Sequence, residues 1–170
     1  MSPSKRFETY ILPVTDKMYR YAYSLLKDGA QAQDAVQECL VKIWSSRAKL
    51  HEIKNPEAWA MRITRNQCYD WSKANRFQLI SDKEHNTPGN ESSDLQTLMA
   101  DQQLWLTRIL ALLSPKQHEI YHLREVEELS YQDIAEVMGL SLSEVKVNLH
   151  RARTKIKAEL EKIEAYGVAN

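Results

Sequence analysis

The sequence predicts an all-α protein: two small helical bundles joined by a flexible linker. Three observations carry this. Gly and Pro are scarce, 4 and 5 in 170 residues, which leaves few obligatory turns and speaks against a many-stranded sandwich or barrel. Apolar residues recur every three or four positions over long stretches. Residues 81–94 hold no Ala, Val, Ile, Leu, Met, Phe, Trp, Tyr or Cys, so they cannot bury themselves and read as a flexible acidic linker. That linker separates a module at 1–80 from one at 95–170. Each is small for an independent domain, so each core should be a compact helical bundle.

The elements follow in order. Phe7, Ile11, Val14, Met18, Ala22 and Leu25 step at helical spacing, and Gly29 stands where a left-handed stop would sit. A second helix carries Ala32, Ala35, Val36, Leu40, Ile43 and Trp44. After a polar stretch at 49–55, Asn55-Pro56 reads as an N-cap followed by Pro at the first helical position, opening a third helix over about 56–75 with Trp59 and Ile63 inside. The second module begins with Leu95, Leu98, Trp105, Ile109, Leu112 and Leu113. Ser114-Pro115-Lys116-Gln117 is then a capping box, and Ser130-Tyr131-Gln132-Asp133 and Ser141-Leu142-Ser143-Glu144 repeat the signal.

Composition excludes several classes. No run of 18 apolar residues exists, so membrane insertion is not expected, and the first 30 residues lack the apolar core of a signal peptide. Cys39 and Cys68 are too few and too far apart for a disulfide framework or a zinc finger, which points to a reducing cytoplasm. Net charge is zero, with 23 basic and 23 acidic residues, where a free-standing DNA binder usually carries a positive excess. The balance is uneven: residues 1–80 carry net +5, residues 81–100 net −3 and residues 101–170 net −2.

The most informative stretch lies between the last two helix starts. Ile134-Ala135, Gly139 and Val145 form a helix-turn-helix pattern: a small residue where helices cross, a glycine at the tight turn, and a Val that locks the second helix back. The inner face of that second helix is Val145, Leu149, Ala152, Ile156 and Leu160. Its outer face offers Ser143, Glu144, Lys146, Val147, Asn148, His150, Arg151 and Arg153. Lys and Arg suit guanine edges or phosphates and Asn suits adenine, so Lys146, Asn148, His150 and Arg151 are the leading candidates for DNA contact. The plainer reading is a solvated face of a structural hairpin. In the first module, Arg62, Arg65, Lys73 and Arg76 step along the third helix with Tyr69 and Trp71 interleaved, a pattern that suits a separated strand. Trp59 there reads as core, Asn66 as a helix-packing amide, and Asp70 with Lys73 as an i, i+3 pair.

Taken in order and with their separations, these motifs resemble the bacterial sigma-70 family of sigma factors, in the compact extracytoplasmic-function (ECF) group. Asp34-Ala35-Val36-Gln37-Glu38 with Ile43-Trp44 resembles region 2.2. Asn55-Pro56-Glu57-Ala58-Trp59 with Ile63-Thr64-Arg65-Asn66, Asp70 and Lys73 resembles regions 2.3 and 2.4. Leu113-Ser114-Pro115-Lys116-Gln117 resembles region 4.1, and the helix-turn-helix ending in Leu149-His150-Arg151-Ala152-Arg153 resembles region 4.2. The resemblance covers about residues 8–160. It implies sigma region 2 and sigma region 4 joined by a linker, with no catalytic residue, no cofactor and no metal. It implies core RNA polymerase as partner, through the β′ clamp at Asp34, Gln37 and Glu38 and through the β flap. Positions 34, 37, 38 and 41 lie on one helix side, although a solvated acidic face reads the same way. Promoter DNA would meet His51, Glu52, Lys54, Asn55, Arg62, Arg65, Asn66, Tyr69, Lys73 and Arg76 at the −10 element. The 51–55 loop would capture a flipped base. The −35 element would meet Ser143, Glu144, Lys146, Asn148, His150, Arg151 and Arg153. The resemblance further implies an anti-sigma factor and a cytoplasmic location, nucleoid-associated when active.

Two competing readings remain at this level. His118-Glu119-Ile120-Tyr121-His122 fits H-E-x-x-H, a zinc-hydrolase motif, with Glu125 where the extended form wants Gly. In the sigma reading Ile120 and Leu123 point inward there and both His outward. The other alternative is a dimeric helix-turn-helix regulator, for which the first module shows no sustained heptad seam. A helical interaction module would leave Arg151-Ala152-Arg153 unexplained.

Overall fold

The structure, a computed structural model, describes residues 1–81, 104 and 106–167, and all regular structure among them is helical. Helix α1 (Pro3–Tyr10) starts at Ser2, whose hydroxyl accepts from Lys5 N at 3.2 Å. A 3₁₀ turn, Leu12–Val14, separates it from α2 (Thr15–Leu26). The apolar series from Phe7 to Leu25 therefore spans two helices. Pro13 lacks an N–H and its ring crowds the carbonyl four residues back, so the helix breaks there. The spacing survives the break: Phe7, Ile11, Val14, Met18 and Ala22 are all buried.

The expected stop at Gly29 is displaced. Lys27 takes the left-handed conformation, φ 55°, and its N–H reaches Tyr23 O at 2.8 Å. Asp28 is extended and accepts from Gln31 N at 2.9 Å, so Gly29 is the first residue of α3 (Gly29–Ser45). The stronger N-cap wins, and the reversal falls one residue before it. Gly29 is small for another reason: a Cβ there would sit 3.3 Å from Tyr19 Oη.

A second 3₁₀ turn, Arg47–His51, buries Leu50 beneath α1. Helix α4 (Pro56–Ser81) is capped by Asn55, whose Oδ1 accepts from Ala58 N at 3.0 Å. It runs past the expected end near residue 75 to Ser81, the first residue of the expected linker. Residues 82–94 and the start of the second module, with Leu95, Leu98 and Trp105, lie outside the described residues. Helices α2, α3 and α4 pack on one another.

In the C-terminal half, residues 106–111 are helical. Then come α5 (Pro115–Tyr121), a π turn (His122–Val126), α6 (Tyr131–Met138) and α7 (Leu142–Gly167). The three serine signals hold. Ser114 and Gln117 bond reciprocally at 3.2 Å each, Ser130 Oγ accepts from Asp133 N at 3.1 Å, and Ser141 and Glu144 form the third box. Gly139 ends α6 at φ 65°, the left-handed stop predicted for the turn. Val145, Leu149 and Ala152 are buried. Leu160, expected at the end of that inner face, is 47% exposed and Ile156 is half-buried. A 26-residue helix packed on helices of 7 and 8 residues carries its last turns beyond their reach.

The two halves touch. Helix α4 packs on α6, and α2 on the π turn. Buried residues from Phe7 to Leu149 form one continuous cluster rather than two separate cores.

Candidate nucleic-acid and polymerase interfaces

Helix α7 sorts its side chains cleanly. With Val145, Leu149 and Ala152 inside, Ser143, Glu144, Lys146, Val147, His150, Arg151 and Arg153 are exposed and Asn148 is half-exposed. Glu144 Oε2 accepts from Ser141 N at 2.8 Å while Ser141 Oγ accepts from Glu144 N at 3.2 Å. Those hydrogen bonds to Ser141 hold the Glu144 carboxyl below its usual range, so it stays ionised over the positive end of the helix. Asn148 Nδ2 donates to Glu144 O at 2.8 Å, and Arg153 Nε donates to Glu125 Oε1 at 2.7 Å. The side chains of Lys146, His150 and Arg151 have no such partner among the described residues and reach outward.

The α4 region splits in two. His51, Glu52 and Lys54 are exposed, with His51 Nδ1 2.6 Å from Ala48 O. Arg62, Asn66, Lys73 and Arg76 are exposed as well. Asn66 is thus not a buried packing amide. It sits one position beyond Arg65 and turns to the outer side. Trp59 is partly buried against the core, and Trp71 is half-buried. Asn55, Arg65 and Tyr69 face the C-terminal half. Asn55 Nδ2 donates to Asp133 Oδ1 at 2.8 Å, and Arg65 Nε donates to Glu119 Oε2 at 2.9 Å. Tyr69 Oη donates to Glu119 Oε1, with the Arg65 guanidinium 4.4 Å from its ring centre. Burial, and then this hydrogen bond, push the Tyr69 phenol up to about 12.

On α3 the buried side is Ala32, Ala35, Val36, Cys39 and Ile43, so Asp34, Gln37 and Glu38 lie exposed on the other side. Glu38 accepts from Gln67 Nε2, and Gln67 Oε1 accepts from Lys42 Nζ. The face continues into Val41, 63% exposed, and Trp44, 41% exposed, with Arg47 over the Trp44 ring at 4.2 Å. Sequence reasoning placed position 41 on this side without giving Val41 a role, and counted Trp44 with the helix's apolar series, whereas it is partly exposed here. The i, i+3, i+4 spacing from Asp34 that marks this side also carries Val41.

The H-E-x-x-H stretch lies between the halves. Ile120 and Leu123 are fully buried, as expected. His118 and His122 are half-buried rather than outward, because α2 and α4 cover that side of α5. Burial holds the His118 imidazole below its usual value, with His122 and Lys27 adding to it. Glu119, 1% exposed, is committed to Arg65 and Tyr69 and so is no general base. His122 stacks on Tyr21 with ring centres 5.9 Å apart and its Nε2 is 3.5 Å from Glu127 Oε1. Among the described residues no group of three or more His, Cys, Asp or Glu is placed to hold a metal. Cys39 and Cys68 are buried and unbridged, their thiols pushed up by burial to about 11 and about 12.

Comparison with known proteins bears on these faces. The model of sigma-70 region 2 matches residues 11–78, and that of sigma-70, region 4, matches residues 103–156. The RNA polymerase sigma-E factor of Streptomyces avermitilis is 30% identical over 155 residues, covering 91% of this chain and 85% of that protein. The chain belongs to the sigma-70 family of RNA polymerase sigma factors. The ECF RNA polymerase sigma factor SigL of Mycobacterium tuberculosis is 28% identical over 149 residues, covering 86% and 84% of the two chains, in keeping with the ECF group. The sigma factor RpoE of Bartonella quintana, solved with the anti-sigma factor NepR, superposes with a TM-score of 0.71 at 26% identity, over 92% of this chain and 98% of that one. CnrH, solved with the cytosolic domain of CnrY, shares the fold at 22% identity and a TM-score of 0.60, over 92% and 88%. This sigma factor binds core RNA polymerase and promoter DNA and directs transcription initiation. The dimeric regulator and zinc hydrolase readings are not favoured. No described helix is long and apolar enough to cross a membrane.

Proposed function

We propose that this sigma factor works through three faces and has no catalysis of its own. The acidic face of α3, Asp34, Gln37 and Glu38 with Val41 and Trp44 beside them, meets the β′ clamp. The loop at His51, Glu52, Lys54 and Asn55 and the α4 stripe Arg62, Arg65, Asn66, Tyr69, Lys73 and Arg76 take the opened −10 strand. The loop holds a flipped base and the stripe holds backbone and bases. The outer face of α7 enters the major groove of the −35 element through Lys146, Asn148, His150 and Arg151, flanked by Ser143, Glu144 and Arg153. The C-terminal half also meets the β flap. An anti-sigma factor restrains the protein, which acts in the cytoplasm and joins the nucleoid when active.

The observation that carries this reading is α7 itself. A left-handed Gly139 leads into a capped helix whose buried residues all lie on one side and whose Lys146, His150 and Arg151 all lie on the other. Zero net charge fits a protein that binds DNA as a polymerase subunit rather than alone. Co-elution with core RNA polymerase tests the reading at the clamp. Asp34→Arg with Glu38→Arg should weaken binding at least tenfold, while Glu136→Gln, at an exposed acid elsewhere, leaves it unchanged. Equal binding by the reversed variant would refute the α3 assignment.

A further inference from the structure

Glu38 and Lys42 stand four residues apart on α3, the acid N-terminal to the base, the order that favours a direct ion pair on a helix. They do not pair directly. The side chain of Gln67, reaching across from α4, lies between them. Its Nε2 donates to Glu38 Oε2 and its Oε1 accepts from Lys42 Nζ. Gln67 is 7% exposed, whereas Glu38 and Lys42 are both exposed. Burying a side-chain amide is costly unless its polar atoms are paired, and both ends of this one are. An amide suits the place because one end donates and the other accepts. Turned over, it would set its NH2 group against an ammonium and its oxygen against a carboxylate, so the two charged partners fix its orientation. The bridge belongs to the packing of α3 on α4, within the N-terminal half.

Glu38 lies on the face assigned above to the β′ clamp, beside Asp34, Gln37 and Val41. Its carboxylate attracts a cationic partner in proportion to the charge left free. A pair with Lys42 would turn the carboxylate along α3 and offset that charge. The amide prevents this without neutralising either group. Glu38 is held through Oε2 by a neutral donor, and its Oε1 has no such partner among the described residues. Lys42 is held by a neutral acceptor in the last turn of α3, where the helix dipole favours a cation. We propose that Gln67 is a positioning residue for core polymerase: it keeps Lys42 off Glu38 and fixes the carboxylate toward a cationic group of the clamp. The proposal rests on the assignment of α3 to the clamp. A side chain already held in its binding pose loses less freedom on association, so the positioning is read as affinity.

The test measures equilibrium binding of the full chain, labelled with a fluorophore, to bacterial core RNA polymerase, with circular dichroism reporting the helices. Gln67→Leu roughly keeps the volume and removes the bridge. Glu38 and Lys42 then pair directly, and binding should weaken about fivefold, within the range for losing one preordered side chain. Adding Lys42→Met removes the competing cation and should recover most of that loss, while Lys42→Met alone gains less than it does in combination. This coupling separates positioning from packing, because a Gln67 that only fills space between α3 and α4 would not be rescued at Lys42. Should Gln67→Leu lose helicity, Gln67→Met, an unbranched side chain that adapts to its surroundings, decides on the same readout. Wild-type binding by the folded Gln67→Leu chain, or a loss that Lys42→Met does not relieve, would overturn the proposal. Asp34→Arg with Glu38→Arg tells the two assignments apart. If that variant also binds as the wild type does, the clamp assignment has failed and the positioning role with it. If it binds weakly while Gln67→Leu binds normally, the positioning role alone has failed.

Discussion

Helices α4 and α7 both carry residues assigned to DNA, and they hold them differently. On α7 the outer side chains that are tied down are tied within their own half: Glu144 to Ser141, Asn148 to Glu144 O, Arg153 to Glu125. On α4, Arg65 and Tyr69 are held by Glu119, 54 and 50 residues further along the chain. A face held by its own helix stays available whatever the two halves do. A face held by the other half is available only when they part. On the proposed assignments, the α7 surface is held by its own half and the Arg65–Tyr69 part of α4 by the other.

The comparison can be broken by mutation, from the core outward. Leu149→Ala should destabilise by about 2–5 kcal/mol, because it empties space beneath the α7 face, and loss of promoter use should follow from unfolding. Thermal melting with circular dichroism would show it. Arg65→Ala and Arg151→Ala sharpen the contrast. Removing Arg65 strands the buried Glu119 carboxylate, which costs about 3–5 kcal/mol when nothing relaxes. Opening the seam between the halves relieves that cost, so a larger scattering radius with a modest fall in melting temperature is expected. Arg151→Ala should leave stability within about 0.5 kcal/mol. It should instead lower transcription from promoters bearing a −35 element by about 5- to 150-fold, the range of a lost base contact. If the two variants behaved alike in scattering, the distinction between the helices would fail.

Acid should act on the seam and spare α7. The Glu127 carboxyl is pushed up by burial, but hydrogen bonds from His122 and Arg20 outweigh this and hold it below its usual 4.5. Its contribution to the closed form is complete above that pH and is lost as pH falls through the lowered folded value. The His118 imidazole, held below 6.5 by burial, resists a proton that the unfolded or opened chain accepts. Stability therefore begins to fall as pH drops below about 6.5. Melting temperature should decline first between pH 7 and 5, and again below 4.5. His118→Gln should remove the first decline only. A modest loss of stability is expected of Gly139→Ala. No atom lies within 4 Å of the added Cβ, so only the left-handed backbone, φ 65°, opposes it, at about 1–2 kcal/mol.

What the sequence disclosed depended on range. Asn55, Ser114, Ser130 and Ser141 announce their helices because each cap bonds to a group three residues away. The buried side of α7 was legible for the same reason, as far as Ala152. The reading failed where two local rules competed. Pro13 cut a continuous apolar stripe, and Asp28 outbid Gly29 for the start of α3. It also ended α4 too early. The seam was not legible at all. Arg20 and Glu127 are 107 residues apart, and no periodicity links residues at that distance. Glu119 was read within a metal motif because its neighbours in sequence are histidines, whereas its neighbours in space are Arg65 and Tyr69.

The most direct measurement is promoter-directed transcription from a pool of genomic fragments, with bacterial core RNA polymerase and the purified chain. The wild type should yield discrete transcript starts preceded at fixed distances by two shared elements. Lys146→Ala with Arg151→Ala should lose the starts that depend on the upstream element. Absence of discrete starts with an active core enzyme and a folded wild-type chain would contradict the assignment of these faces to promoter recognition.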